Sequence, residues 1–148
     1  MGRSRKYYSS LALLFTLTIV LAYAATQLTI NNSANVTIPN TNLFAVVSGV
    51  TGTTVCNGLP GYADTGLSIT WPSVSQGSSA NVNICLKNSG SNPDTLSFVA
   101  GTLPAGVSFS TSSQGAVLTS GGTLNVQLTL TAASTSPTGP FNFDLTIT

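Results

Sequence analysis

The chain of 148 residues contains no histidine and no glutamate, and its only acidic residues are Asp64, Asp94 and Asp144. Histidine is the most common general base and a frequent metal ligand, so its absence removes the usual catalytic sites. The three aspartates are widely spaced, and no serine lies in a G-x-S-x-G or S-x-x-K motif. We therefore predict that the protein has no catalytic residues, is not an enzyme and uses no cofactor.

Charge of either sign is scarce, at 5% of residues. No basic cluster is present that could neutralise phosphates, so nucleic acid is not a predicted partner. Two cysteines without histidine cannot complete a zinc site, and no metal site is predicted. Calcium held by Asp64 and backbone carbonyls is the remaining alternative, which the lack of further carboxylates disfavours. About two fifths of the residues from Ala25 onward are Thr, Ser or Asn, and such a nearly neutral surface suits a protein that packs against copies of itself or carries sugar.

Most of the basic residues stand at the N-terminus, where Arg3, Arg5 and Lys6 precede an apolar run at residues 11–21. The segment Ala22-Tyr23-Ala24 then supplies the small-x-small pattern of a cleavage site. Residues 1–24 are therefore predicted to be a signal peptide, and the mature protein is predicted to be extracellular, at the cell surface. Because residues 7–25 are uncharged and approach the length of a membrane span, retention as an anchor is the alternative. Contact with membrane is expected only through this segment.

The two cysteines, Cys56 and Cys85, are predicted to form a disulfide, because an even pair in an exported chain is most simply oxidised. Cys56 lies in a segment rich in Gly, Thr and Pro, whereas Cys85 shares the polar parity of an alternating strand. The bridge should therefore fasten a loop to the outer face of a sheet. Two free buried thiols are the alternative.

Residues 25–40 have the alternation of an amphipathic strand directly behind the predicted cleavage site. Large apolar side chains share one parity, at Leu28, Ile30, Val36 and Ile38. The other parity carries Asn31 and Asn35, each the acceptor of an N-glycosylation sequon. Two interpretations stay open for this strand. It pairs within its own sandwich, or it docks into the open sheet of a neighbouring copy and so builds a non-closing filament, a homopolymer.

Residues 41–148 contain short alternating runs about ten residues apart, separated by Gly, Pro and Asn turn signals. This pattern predicts an all-β, immunoglobulin-like antiparallel β-sandwich of seven or more strands without a helix, and it fits a closed barrel less well. Residues 43–50 are expected to be buried on both faces, and a strand at residues 67–71 is expected to end at Pro72. The predicted core consists of Trp71, Ile84, Leu86, Phe98, Phe109, Val126, Leu128, Phe143 and Leu145.

The segment W-P-S-V-S-Q-G-S-S-A-N-V-N-I-C-L-K-N-S-G, at residues 71–90, resembles the opening of CARDB-like and related immunoglobulin-like surface modules. In those modules a glycine turn leads into an alternating strand that ends in Asn-x-Gly, as Asn88-Ser89-Gly90 does here. The phrase Leu103-Pro104-Ala105-Gly106-Val107 is similar to one common in such sandwiches. The resemblance extends over residues 67–148 and implies the fold rather than a function.

The whole layout is also similar to that of archaeal surface-filament subunits of pili or threads and of TasA-type fibre proteins. In both, an export signal precedes a donor-like strand and a sandwich rich in Thr, Ser and Asn. This similarity implies a structural subunit of a cell-surface filament that polymerises by donor-strand complementation, a glycoprotein with N-linked sugars on its exterior. A surface adhesin and a membrane-anchored accessory subunit of a larger complex are the alternatives. An adhesin should show a cluster of exposed aromatic side chains for stacking on sugars.

Overall fold

The computed structural model describes residues 30–47 and 55–148. The signal-peptide prediction for residues 1–24 and the assembly role predicted for Leu28 lie outside these ranges. The described ranges contain no helix, and therefore none that could cross a membrane. Ten strands make up the fold: β1 (Ile30–Thr37), β2 (Leu43–Val46), β3 (Leu67–Val74), β4 (Ser79–Asn88), β5 (Asp94–Thr95), β6 (Phe98–Ala100), β7 (Val107–Thr111), β8 (Val117–Leu118), β9 (Thr123–Ala132) and β10 (Phe141–Ile147).

The strands form two four-stranded sheets and a short ribbon. The first sheet has the order β3-β1-β10-β6, the second has the order β2-β4-β9-β7, and β5 pairs with β8 in the ribbon. Every pairing is antiparallel except that of β1 with β10, which is parallel. The prediction of an all-β sandwich is confirmed, and the arrangement is compatible with an immunoglobulin-like module.

Alternation along the strands produces the core between the two sheets, because successive side chains of a strand point to opposite faces. Along β9, for example, Val126, Leu128 and Leu130 are buried. Every residue of the predicted core is buried except Phe109, which is half-buried. Its strand, β7, is an edge strand of the second sheet, which leaves the ring partly exposed, and the centre of the ring lies 6.3 Å from that of Phe143.

The prediction that a strand ends at Pro72 is wrong, since β3 continues through Pro72 to Val74. Two features of the fold make a proline acceptable there. The strand lies at the edge of the first sheet, so no neighbouring strand forms hydrogen bonds along one of its sides. The register with β1 also shifts between the Ile30–Val74 and Asn32–Trp71 pairs, which places a bulge at Pro72 and Ser73. Proline within sheets is found at edges and bulges, where no ladder hydrogen bond needs its missing N–H.

The apolar residues Leu96 and Phe98 have the spacing of one continuous strand, but the chain changes partners between them. The N–H of Leu96 donates to Ala116 O at 2.8 Å, whereas the N–H of Ser97 donates to Thr148 O at 2.6 Å. The chain therefore leaves the ribbon after β5 and joins the first sheet as β6. A change of partner leaves the side-chain alternation nearly intact, so the sequence pattern does not reveal it.

Candidate functional site

The first strand, β1, occupies a central position in the first sheet. It pairs in parallel with β10, from Asn32–Phe141 to Thr37–Thr146, and antiparallel with β3, from Asn32–Trp71 to Val36–Leu67. No direct pairing joins β3 to β10. Withdrawal of β1 would therefore split the first sheet along its length and leave two ladders of backbone N–H and C=O groups without partners.

The two faces of β1 differ sharply in exposure. Ala34, Val36 and Ile38, which follows the strand, are at most 5% exposed and belong to the core between the sheets. Asn35 and Thr37 on the other face are exposed. The side chains of Val36 and Ile38, two of the four apolar residues that the sequence places on one face of the strand, thus point into the core. Ile30 pairs through its backbone with Val74, and its side chain is outside the described part, so its role in assembly stays a prediction.

The two sequons lie on β1. Asn35 is exposed on the outer face of the first sheet, in register with Ser68 on one side and Asp144 on the other. Both neighbours are themselves exposed, so a sugar on Asn35 would extend into solvent without entering the core. Asn31 belongs to the same strand, but its side chain lies outside the described part. Glycosylation of both residues stays a prediction.

Asn32 is a feature of β1 that the sequence reading missed. Its side chain is only 2% exposed, on the inward parity of Ala34 and Val36, and neither its Oδ1 nor its Nδ2 has a hydrogen-bond partner. The residue opposite it in the β1–β3 register, Trp71, is equally buried, and its Nε1 is also unpartnered. Parity alone could have revealed this position, since Asn32 is the polar exception among even-numbered apolar residues.

The disulfide between Cys56 and Cys85 is confirmed, with a Cα–Cα distance of 5.5 Å. It fastens a loop to the outer face of the second sheet, as expected, and the loop covers it, since Cys85 has no exposed surface. The cysteines, Val46, Leu59 and Tyr62 form a second, small apolar cluster. The Tyr62 hydroxyl donates to Cys56 O at 2.9 Å, and Lys87 Nζ lies 5.9 Å from the centre of the Tyr62 ring. Burial raises the pKa of Tyr62.

The cover also explains the described part, residues 43–47, of the apolar run at 43–50 that the sequence predicts to be buried on both faces; residues 48–50 lie outside the described ranges. Ala45 faces the core between the sheets, and Val46 faces the disulfide cluster on the opposite side of β2. A bridge between Ala45 and Ala63 holds the returning loop beside β2, with hydrogen bonds of 2.8 Å in both directions. The segment is therefore apolar on both faces because one face of β2 packs into the core between the sheets and the other packs against the disulfide cluster.

The three aspartates lie on different elements. Asp64 is half-buried beside the Ala63 bridge, Asp94 begins β5 and is half-buried, and Asp144 is exposed in the middle of β10. No group of three His, Cys, Asp or Glu side chains suited to hold a metal ion occurs within residues 30–47 and 55–148. The absence of catalysis stays a prediction drawn from composition.

Asn88, the first residue of the Asn-x-Gly sequence, is a buried residue at the end of β4 whose side chain joins several elements. Its side chain has no exposed surface. Its Nδ2 donates to Asn92 O at 2.8 Å and to Leu118 O at 3.2 Å, and its Oδ1 accepts from the N–H of Gly90 at 2.7 Å. Because Leu118 belongs to β8, this amide ties the β5–β8 ribbon to the second sheet.

A scan against protein-family models finds none that matches this chain. A search of curated proteins likewise finds no protein with significant sequence similarity.

Proposed function

We propose that this protein is an extracellular, non-catalytic subunit of a cell-surface filament that polymerises by exchange of β1 between copies. The observation that carries the proposal is the location of β1, which is the first strand of the described chain and fills the middle of the first sheet. With the predicted signal peptide removed, β1 can leave its sheet without threading the rest of the chain through a loop. The gap it leaves matches the same strand of a second copy.

The connection after β1 suits such a movement. Only residues 38–42 separate β1 from β2, which belongs to the other sheet. The segment includes Pro39 and the exposed residues Thr41 and Asn42. Straightening it would carry β1 away from its own sandwich, and β1 of the next copy could take over the ladder hydrogen bonds to β3 and β10. Burial of Val36 and Ile38 in the neighbour would contribute roughly 1.5–3 kcal/mol for each side chain.

Exchange conserves the contacts of a sandwich and changes only the chain that supplies them. A reciprocal exchange closes into a dimer, whereas a head-to-tail exchange leaves one open groove and one free strand at the ends and so extends without limit. The scarcity of charge supports the extended form, because copies that meet side by side experience little electrostatic repulsion. A sugar on Asn35 would extend from the outer face of the first sheet, and Asn31 is the second proposed acceptor.

We also propose that the sandwich is a CARDB-like module. The layout of the whole protein is proposed to be that of archaeal pilus or thread subunits and of TasA-type fibre proteins. Support for it comes from the Asn-x-Gly strand end, the predicted export signal and the composition. Aromatic placement favours the filament over an adhesin, because every aromatic side chain within residues 30–47 and 55–148 is buried or half-buried. Trp71, the largest of them, is 2% exposed.

A designed cross-link distinguishes strand exchange from a self-contained sandwich. Asn35 and Ser68 are exposed register partners on β1 and β3, and partners in antiparallel strands have the Cα spacing that a disulfide accepts. In N35C/S68C, exchange predicts a ladder of covalent oligomers after oxidation and non-reducing electrophoresis. A self-contained sandwich gives a cross-linked monomer, and a band at the dimer alone identifies reciprocal exchange.

The matched control is N81C/T129C, which joins two other register partners, on β4 and β9. Neither strand takes part in the proposed exchange, so this pair should cross-link within one chain in every form of the protein. A monomer from both designs, together with compact monomers in light scattering at high concentration and no fibres in electron microscopy, would refute the filament proposal.

A further inference from the structure

Two buried polar side chains without hydrogen-bond partners, Asn32 and Trp71, face the core where β1 pairs with β3. Asn32 is 2% exposed and has two side-chain polar atoms without partners, and Trp71 across the register adds an unpartnered indole N–H. Asp94 Oδ2 is the one further buried side-chain atom without a partner within residues 30–47 and 55–148, whereas two fully or nearly fully buried polar side chains are satisfied. Asn88 makes three hydrogen bonds, and the hydroxyl of Ser136 donates to Gly106 O at 2.8 Å. Buried amides normally find partners, so the arrangement at Asn32 calls for a reason.

Because Asn32 lies on β1 itself, the burial of its amide opposes the docking of β1 into the first sheet. When β1 leaves the first sheet, the Asn32 amide gains water and the facing edge of Trp71 becomes accessible. When β1 docks, both groups lose water and gain no hydrogen bond in return. The inward residues Ala34, Val36 and Ile38 favour docking, and Asn32 opposes it. A satisfied or apolar residue at position 32 would hold the strand more tightly.

We propose that Asn32 is a built-in release point of the fold. Its unpartnered amide, set opposite the unpartnered indole of Trp71, weakens the attachment of β1 so that β1 opens before the rest of the sandwich. The purpose of this opening rests on the proposed function, in which β1 passes between copies. Strand exchange requires an open intermediate, and Asn32 raises the population of that intermediate without weakening the β4–β9 pair on which the second sheet is built.

Hydrogen exchange on protein expressed from the full chain tests the release point. In the wild type, amides of β1 should exchange faster than amides of β4 and β9. Asn32→Val should slow exchange of the β1 amides by about tenfold or more, because it removes a buried amide that has no bonds to lose. The matched control is Asn35→Val, the same change three residues along on the exposed face of the same strand. It alters β propensity equally and should change the rate by less than about threefold.

Three results would overturn the release point. Exchange of β1 in step with β9 in the wild type would show that β1 opens only with global unfolding. A slowing in N32V no larger than in N35V would show that propensity, and not the buried amide, sets the rate. If valine proves too large for the site and N32V does not fold, Asn32→Ala removes the amide without adding bulk. Unchanged or faster β1 exchange in that variant contradicts the proposal.

The release point and the filament can fail separately. Slower exchange in N32V together with a monomeric cross-link in N35C/S68C supports the release point and refutes strand transfer between copies. A covalent ladder together with unchanged exchange in N32V supports the filament and refutes the role of Asn32. If both hold, adding N32V to the N35C/S68C pair should slow the appearance of the ladder by about the factor measured for β1 exchange.

Discussion

Removal of the Asn88 amide should uncouple the β5–β8 ribbon from the second sheet. Asn88→Ala deletes two donated hydrogen bonds and one accepted bond. Asn92 is exposed and Gly90 is half-buried, so water can replace the bonds to those two backbone groups. The carbonyl of Leu118 belongs to a residue that is 3% exposed, and its hydrogen bond from Asn88 is buried and would be lost. The lost buried hydrogen bond and the cavity left by a fully buried side chain together predict a loss of about 2–3 kcal/mol in the free energy of unfolding.

Urea denaturation measures this loss. With a slope of about 1–3 kcal/mol per molar urea for a domain of this size, the midpoint of N88A should fall by about 0.7–3 M. Asn92→Ala is the control, because it removes an exposed asparagine side chain and keeps the backbone carbonyl that Asn88 contacts; its midpoint should move by less than about 0.3 M. Equal midpoints for the two variants would refute the view that the Asn88 amide joins the ribbon to β4.

Three further predictions concern other parts of the sandwich. Gly122→Ala should destabilise the protein measurably in thermal unfolding, because its Cβ would lie 2.9 Å from the carbonyl oxygen of Thr119; unchanged stability would mean that the turn adjusts freely. Replacing Cys56 and Cys85 by alanine, which opens a link across 29 residues, should cost roughly 3–4 kcal/mol in the chain-entropy model, and a loss below about 1 kcal/mol in urea unfolding would contradict it. Because folding raises the pKa of Tyr62, its contribution to stability is complete below the ordinary value of 10.0 and is lost as the pH rises through the raised value. Thermal melts from pH 8 to 11 should show this loss in the wild type and a smaller one in Y62F, whereas identical profiles would refute it.

Much of the fold could be predicted because alternation and burial coincide in most strands. Val126, Leu128 and Phe143 occupy one parity of β9 and β10 and are buried, and the turns between strands contain Gly, Pro and Asn. Pro72 was misjudged because its compatibility with a strand depends on whether that strand lies at an edge. Edge position follows from the order of strands in the sheet, which is a long-range property that local pattern does not encode.

The candidate site was only partly predictable for a related reason. The apolar parity of β1 showed which face is buried, but it could not show which sheet receives that face or in which position. Asn32 was overlooked because it stands within a sequon, where asparagine suggests the surface. The three bonds of Asn88 join residues up to 30 positions apart, so only the assembled fold reveals them. The disulfide partners required no such knowledge, since a chain with two cysteines has one possible intramolecular pairing.

The parallel alignment of β1 and β10 has a mechanical consequence. Force applied at Ile30, where β1 begins, and at Ile147, where β10 ends, pulls the two strands in opposite directions along their common axis. The hydrogen bonds between parallel strands are evenly spaced, so they bear this tension together in shear and do not break one after another as in unzipping. Resistance to rupture under such loading is set by the rate of unfolding rather than by its equilibrium. A sandwich loaded through these two residues would therefore resist rupture by shear of the β1–β10 pair.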